Sequence, residues 1–260
     1  KRFNDVAAIK WERSSAYDAK HYALYRHVSG KQGFSRIATI HDQAQTLYHD
    51  TFNLKRGVCY RVRVIDQCGN VSEFSNKGCI MQAEAKALSL KNKLKRQDYE
   101  TWQNGIDQYQ VFKQIDSGFY EPIGVMDTNQ TLFMDDNLSD TARKFCYFIK
   151  ATGYNTGEYS RSTRVCVRQQ PKAHIPNSFS PKNTTGSNDF FGPEGIYMAN
   201  YRMSIYNRWG ARIYKTTKGK PWDGQYKGKP SPTGVYSYRI TIIGYEGSRQ
   251  SFKGKLHLIR

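Results

Sequence analysis

Near the carboxyl end of the chain, Tyr201, Met203 and Ile205 alternate with Arg202 and Ser204, and Tyr236, Tyr238, Ile240 and Ile242 alternate with Ser237, Arg239 and Thr241. Alternation with a period of two predicts strands that bury one face and wet the other. Asn207-Arg208-Trp209-Gly210 lies between two such runs, Met203-Ser204-Ile205-Tyr206 and Ala211-Arg212-Ile213-Tyr214. A short polar segment ending in Gly predicts a hairpin there, because Gly reaches the positive φ that such turns need. Tyr245-Glu246-Gly247-Ser248 predicts another between the last two strands. The pattern as a whole predicts a small antiparallel sandwich of about seven strands.

Upstream, the pattern repeats itself. Tyr22 with Leu24-Tyr25-Arg26 returns as Tyr109 with Val111-Phe112-Lys113, and Cys59-Tyr60-Arg61-Val62 returns as Cys146-Tyr147-Phe148-Ile149, each at an offset of 87 residues. Gly33-Phe34 returns as Gly118-Phe119 at an offset of 85, and Tyr48-His49-Asp50 as Phe133-Met134-Asp135. Two copies of one β-domain therefore stand in tandem. The second departs at its start: the place of Trp11 falls among Arg96, Gln97 and Asp98, and Trp102 is offset too far to replace it, so it belongs in a loop before the Tyr109 strand. The predicted boundaries are 1–82, 83–170 and 171–260.

Cysteine positions follow the same repeat. Cys59 and Cys79 recur as Cys146 and Cys166, each pair 20 residues apart about a turn, Cys68-Gly69-Asn70 in one copy and Tyr154-Asn155-Thr156-Gly157 in the other. Residues equidistant from a hairpin tip face each other at about 4.5 to 5.5 Å between Cα atoms, which a disulfide spans. The spacing predicts Cys59–Cys79 and Cys146–Cys166, with Cys68 left over, and paired cysteines place the chain in an oxidising compartment.

Composition adds direction. The aromatic fraction of 14%, with few runs at helical spacing, favours strands. Length allows two or three domains. No apolar run approaches the roughly 20 residues a membrane span needs, and Lys1-Arg2-Phe3-Asn4-Asp5 has no signal-peptide h-region, so the export signal of a longer precursor would lie elsewhere. The net charge is +18; residues 172–260 hold 15 Lys and Arg against 4 Asp and Glu, a net +11 that leaves +7 for the first 171. Such a field attracts a surface glycan, lipopolysaccharide or an acidic protein rim, or is simply a solvated surface. No recognition helix or aromatic RNA-binding signature accompanies it, which argues against nucleic acid.

The third stretch carries a series of short words in order: Ile175-Pro176-Asn177-Ser178-Phe179-Ser180-Pro181, Asn188-Asp189-Phe190-Phe191, Ile205-Tyr206-Asn207-Arg208-Trp209-Gly210, Trp222-Asp223-Gly224, Thr233-Gly234-Val235-Tyr236, and Lys253-Gly254-Lys255-Leu256-His257-Leu258-Ile259-Arg260. This set resembles the gliding motility-associated C-terminal domain, the type B sorting domain of type IX secretion cargo. Ile9-Lys10-Trp11, Tyr22-Ala23-Leu24-Tyr25-Arg26, Cys59-Tyr60-Arg61-Val62-Arg63-Val64-Ile65-Asp66 and Gly69-Asn70-Val71-Ser72 make both copies resemble fibronectin type III-like domains of bacterial surface proteins. Together the resemblances imply an all-β chain of tandem antiparallel β-sandwiches, two fibronectin type III-like repeats followed by an Ig-like sorting domain. They imply a secreted or cell-surface, adhesin-like cargo, exported across the outer membrane by an SprA-like translocon and held by a shuttle barrel of the PorV or SprF kind.

Residues expected to contact that machinery are Arg208, Trp209, Gly210, Lys253, Gly254, Lys255, Ile259 and Arg260. Arg offers a planar fork suited to an acidic partner, and Gly254 lets a neighbour approach closely; against this, Trp209 and Trp222 suit a packing role and Arg260 a frayed end. Family members carry a Gly-Asp-Gly turn where this chain has Lys182-Asn183-Thr184-Thr185-Gly186-Ser187-Asn188-Asp189. With one carboxylate in place of several, no metal site is predicted, and Asp189 is expected to fix the loop.

The six histidines are scattered, and no nucleophile elbow, phosphate loop or dinucleotide fingerprint is present. The adjacent carboxylates Asp135-Asp136 match the single Asp50 of the first copy, which suits turn capping better than acid-base chemistry. No enzyme activity, catalytic residue or cofactor is predicted. The competing reading is a pair of carbohydrate-binding modules attached to a polysaccharide-degrading enzyme, with Trp102, Tyr120 and Tyr154 as candidate glycan-stacking platforms.

Overall fold

The computed structural model describes residues 6–52, 57–99, 102, 104–155, 157–181 and 188–260. Every regular element among them is a strand, and the architecture is all-β, built of several mainly antiparallel sheets. By compactness the chain divides into two units, Lys1–Lys86 with Asn92–Asp135 and Phe145–Val167, and Ala87–Lys91 with Asp136–Lys144 and Arg168–Arg260.

The first copy contains β1 (Ala7–Lys10), β2 (Ala19–Val28), β3 (Ser35–Ile40), β4 (Leu47–Asp50), β5 (Val58–Asp66) and β6 (Gly78–Cys79). β1 pairs with β4, and the other four form a sheet in the order β3-β2-β5-β6. Inward-facing Tyr22, Leu24, Val58, Tyr60 and Val62 join Ile40 and Ala7 in one core. The second copy contains β7 (Ala83–Leu88), β8 (Lys91–Arg96), β9 (Ile106–Ile115), β10 (Tyr120–Met126), β11 (Leu132–Asp135), β12 (Phe145–Gly153), β13 (Tyr159–Arg161) and β14 (Val165–Val167). Its sheets run β11-β8-β7 and β10-β9-β12, with β13 and β14 both paired to β12.

The repeat reappears as atoms, at an offset of 87 residues for the tyrosine and the cation and 85 for the carboxylate. Tyr60 donates its hydroxyl hydrogen bond to Asp50 Oδ2 at 2.8 Å, and Asp50 also takes the Arg26 guanidinium at 2.8 Å. In the second copy Tyr147 donates to Asp135 Oδ2 at 2.7 Å, and Lys113 Nζ lies 3.1 Å from Asp135 Oδ1. Both carboxylates are buried, so each needs its cation and hydroxyl to offset lost hydration. The expected turn capping holds for Asp50, which also accepts from Phe52 N at 3.2 Å. Burial, then the bond to Asp50, raises the Tyr60 phenol pKa. Ser75 and Ser162 form another matched pair, accepting at 2.9 Å from the backbone N–H of Val62 and Ile149 where the ladder is interrupted.

Cys59–Cys79 and Cys146–Cys166 are disulfide-bonded, and Cys68 is free and exposed. Their Cα atoms are 3.9 and 4.0 Å apart, closer than the ladder spacing predicted, and each pair is directly in register, on β5 with β6 and on β12 with β14. The first tip is a tight turn in which Gly69 takes φ +87° and Asp66 accepts from Asn70. Thr156, at the second tip, lies outside the described residues.

The missing tryptophan has a structural answer. Trp11 N donates to Thr46 O, and Arg96 N donates to Thr131 O, so Arg96 occupies the position of Trp11 in the second copy. Trp11 packs edge-on against Tyr22 at 5.6 Å; the Arg96 guanidinium lies 3.7 Å from the ring centre of Tyr109, the counterpart of Tyr22. A cation over a ring replaces a ring against a ring. Arg96 is only 2% exposed and is held by Asp98 Oδ1 at 3.1 Å and by Thr128 O. Trp102 lies in the β8–β9 connection, as expected.

The C-terminal part contains β15 (Lys172–His174), β16 (Ser178–Phe179), β17 (Glu194–Ile196), β18 (Met198–Tyr206), β19 (Arg212–Thr216), β20 (Gln225–Tyr226), β21 (Lys229–Pro230), β22 (Gly234–Gly244) and β23 (Arg249–Leu258). One five-stranded sheet, β16-β23-β22-β18-β19, is accompanied by the ribbons β15-β17 and β20-β21. Two features differ from the predicted antiparallel sandwich. β16 runs parallel to β23, and the apolar side of the sheet is covered by Phe179 of β16 with the bridged pair Phe191 and Trp222, accompanied by two-stranded ribbons instead of a second broad sheet. Bulky rings cover in few residues what a strand layer would cover in many. Met203, Ile205, Ile240, Ile242, Leu256 and Leu258 face that layer, the alternation read from the sequence.

Two measurements test these packings. Arg96→Ala removes a buried cation–ring contact and leaves a void, and is expected to lower stability by about 2 to 3 kcal/mol in urea denaturation; unchanged stability would show that Asp98 and Tyr109 do without it. The second is alkaline. Burial, and then Tyr214, pushes the Tyr201 phenol up to about 12, and burial also raises Tyr109, Tyr214 and Tyr236. A raised folded pKa gives stability that is complete below the unfolded value of about 10 and is lost as pH climbs through 12. Near-UV circular dichroism is expected to show thermal stability level up to about pH 10 and falling between about pH 10 and 12.

Candidate functional site

The chain direction of the sheet brings distant words to one edge. Tyr206 pairs with Ser237 and Gly234 pairs with Leu258, so the end of β18, the start of β22 and the end of β23 share one end of the sheet. The hairpin beyond β18 is built by Asn207. Its Oδ1 accepts from Trp209 N at 3.1 Å and from Ala211 N at 2.9 Å, its N donates to Ala211 O, and its carbonyl accepts from Gly210 N. Gly210 takes φ +78°, which a side chain would resist. This tight wrapping leaves no room to tuck the intervening side chains inward: Trp209 is 81% exposed, with the Arg208 guanidinium 5.5 Å from its ring centre.

The expected packing role therefore separates the two tryptophans. Trp222 is fully buried against Phe179, Tyr236 and Tyr214, with its indole N–H donated to Gln225 O at 2.8 Å. Trp209 faces solvent, because a hairpin tip has no opposite layer to enter.

Beside the hairpin, the strand carrying residues 257–259 is fastened rather than frayed. His257 N donates to Asn177 O at 2.8 Å and Ile259 N to Phe179 O at 3.0 Å, while Leu258 is buried. Ile259 lies just beyond and is 52% exposed; Arg260 is exposed. Arg208, Trp209, Gly210, Ile259 and Arg260 thus gather at one sheet end, whereas Lys253, Gly254 and Lys255 stand mid-strand on β23. Gly254 faces Tyr238, and a Cβ there would lie 2.6 Å from the Tyr238 hydroxyl, which is the close approach the sequence suggested.

The remaining words are structural. Phe179 and Phe191 pack with tilted rings at 5.9 Å, Phe191 and Trp222 exchange backbone hydrogen bonds at 2.8 Å, and Gly224, at φ +77°, lies where a Cβ would meet Pro181. Tyr236 donates to Pro232 O at 2.6 Å. Residues 182–187 lie outside the described residues; Ser180 N donates to Asn188 O beside them.

The glycan-stacking candidates do not form one platform. Trp102 lines a cleft of about 360 Å³ with Arg96, Tyr99 and Tyr109, and Tyr154, 54% exposed, donates its N–H to Gly105 nearby. Tyr120 begins β10, opposite Gln114 at the far end of β9, and packs on Phe148 at 4.8 Å. The most exposed ring of the second copy, Phe119 at the β9–β10 tip, was not singled out by its sequence pattern. Among the described residues no three His, Cys, Asp or Glu side chains gather as metal ligands, and no helix is long and apolar enough to cross a membrane.

Residues 173–258 match the CHU_C type IX secretion signal domain, and the third stretch is such a domain. It marks its chain for export to the cell surface or for secretion. No curated protein matches the chain. Among solved structures, pectate lyase PelI from Erwinia chrysanthemi in complex with tetragalacturonic acid is similar over 39% of this chain and 32% of its own, at 16% identity and a TM-score of 0.30. The chain thus spans about a third of that structure's length, and a likeness this slight carries no argument.

Gly254→Ala is expected to cost at least about 1 kcal/mol by overpacking against Tyr238. In a Tyr238→Leu background the same change is expected to cost less; equal costs in thermal denaturation would show that the ring is not what Gly254 accommodates.

Proposed function

We propose that this chain is the C-terminal part of a secreted or surface-displayed cargo whose sorting domain is read at the end of its five-stranded sheet. The observation that carries the reading is Trp209, a large ring left in water by a turn closed on Asn207, on the same sheet end as Arg208, Ile259 and Arg260. An exposed aromatic with a guanidinium beside it is the usual composition of an interface anchor. The partner is an outer-membrane shuttle barrel of the PorV or SprF kind, following passage through an SprA-like translocon. The two upstream copies serve as adhesive or spacer modules, in a three-module chain bounded near residues 82 and 170, and no chemistry is assigned to them.

Pull-down of detergent-solubilised outer membrane with the full chain tests this. Trp209→Ala and Ile259→Ser are each expected to weaken capture of the barrel by about tenfold or more with unchanged melting temperature. Retained capture by the double variant would overturn the assignment of the sheet end.

A further inference from the structure

The side of the sheet that points away from the aromatic core has a composition of its own. Register places Lys215, Ser204, Arg239 and Lys253 in one row across four strands, Tyr206, Ser237 and Lys255 in the next with Arg212 close by, and Arg202, Thr241 and Ser251 in a third. Arg202, Arg212, Lys215, Arg239, Arg249, Lys253 and Lys255 are all exposed. Strands β18, β19, β22 and β23 contain no Asp or Glu, and none of these seven cations is in an ion pair among the described residues. Arg239 stands directly opposite Lys253, an arrangement that weakens a ladder unless an anion comes between the charges.

At one end of the face is a dish of about 280 Å³ lined by Arg202, Arg249, Thr241, Ser251 and Ile243, with the two hydroxyls 3.3 Å apart. Two guanidinium groups flanking a hydroxyl pair can grip a carboxylate bidentately while the hydroxyls meet sugar oxygens. Along each strand, like-facing residues recur about every 6.8 Å, and neighbouring strands lie about 4.8 Å apart. The result is a flat grid of positive charge with hydroxyls of Ser204, Ser237, Thr241 and Ser251 between.

From this face we infer a binding surface for an extended, carboxylate-bearing acidic polysaccharide. Charge complementarity argues for a polyanion, and the absence of a central apolar anchor argues against a protein, since Val235 and Ile243 stand at opposite ends of β22 and Tyr206 at the end of β18. An exported chain meets polyanions of the cell surface rather than those of the cytoplasm. The face adjoins the sheet end assigned to the shuttle at Tyr206 and Ser237, but Arg239, Lys253, Arg202 and Arg249 lie away from it, so either assignment can fail alone.

Biolayer interferometry of the full chain on immobilised alginate tests the inference. Binding is expected to weaken steeply with salt and to be absent on neutral dextran. Arg239→Thr/Lys253→Thr and Arg202→Thr/Arg249→Thr are each expected to lose about tenfold in affinity at low salt, while Lys227→Thr/Lys229→Thr, the same charge change on the β20-β21 ribbon, leaves it unchanged. Because the first pair removes a like-charge opposition, its melting temperature is expected to hold or rise; a fall would show that the pair serves the fold. No alginate binding, equal loss in the ribbon variant, or equally tight binding to polyglutamate would overturn the proposal. So would capture only by phosphate-bearing lipopolysaccharide vesicles. Secretion of the same variants is expected to be normal, and failed export with alginate binding intact would assign the face to translocation instead.

Discussion

The parallel pairing of two residues, Ser178-Phe179 with His257-Leu258, is the constraint on which the C-terminal domain depends. A sheet with one apolar side must cover it, and here no second broad sheet is available. Phe179 enters from the edge, meets Phe191 and Trp222, and so carries the covering loops with it. The same pairing holds the end of β23 through Asn177 and Phe179 carbonyls. Core closure and the placing of the neighbouring sheet end are one event: undocking the edge strand would remove Phe179 from the core and release the end of β23 together.

In the tandem copies a different constraint governs, the burial of a carboxylate at the end of β4 and of β11. Each copy solves it with a tyrosine hydroxyl and a cation from β2 or β9, arginine in one and lysine in the other. The interchange is tolerated because one charged nitrogen serves in each copy: Arg26 Nη1 lies 3.1 and 2.8 Å from the two Asp50 oxygens, and Lys113 Nζ 3.1 Å from Asp135 Oδ1, with a tyrosine hydroxyl completing both. The exchange of Trp11 for Arg96 is less conservative, and the protein accommodates it by surrounding the guanidinium with Asp98, Thr128 and the Tyr109 ring. One backbone hydrogen-bond pattern thus survives two different side-chain chemistries.

Much of this was legible in the sequence. Period-two alternation fixes which side of β18 and β22 is buried, because a strand has only two faces, and the repeated 20-residue cysteine spacing gives both disulfides, because register leaves few alternatives. Gly254 was legible as a close approach, though not its partner Tyr238. The parallel course of β16 was not legible: a two-residue strand carries no period, and its partner is separated from it by almost the whole domain. Nor was the contrast between Trp209 and Trp222, since both are followed or nearly followed by Gly, and only the hairpin's lack of an opposing layer decides which ring is wet. Arg96 was visible as a departure but read only as a loss, because spacing reports position and not what a side chain will stack on.

The basic face was the least legible element, although each of its residues is at an alternating position. Net charge is a sum over a domain, and a sum does not say that cations lie in rows on one side. The sheet makes that separation: successive residues point oppositely, so a strand such as Arg249–Leu258 places Lys253 and Lys255 on one side and Phe252, Leu256 and Leu258 on the other. An apolar face must be apolar in every strand to close a core, but nothing in folding requires the other face to exclude carboxylates from every strand. Interspersed Glu would lower the repulsion between Arg239 and Lys253 at no cost to packing. Packing therefore does not require its absence from four adjacent strands, and that one-sided charge is the asymmetry from which the polyanion surface is inferred.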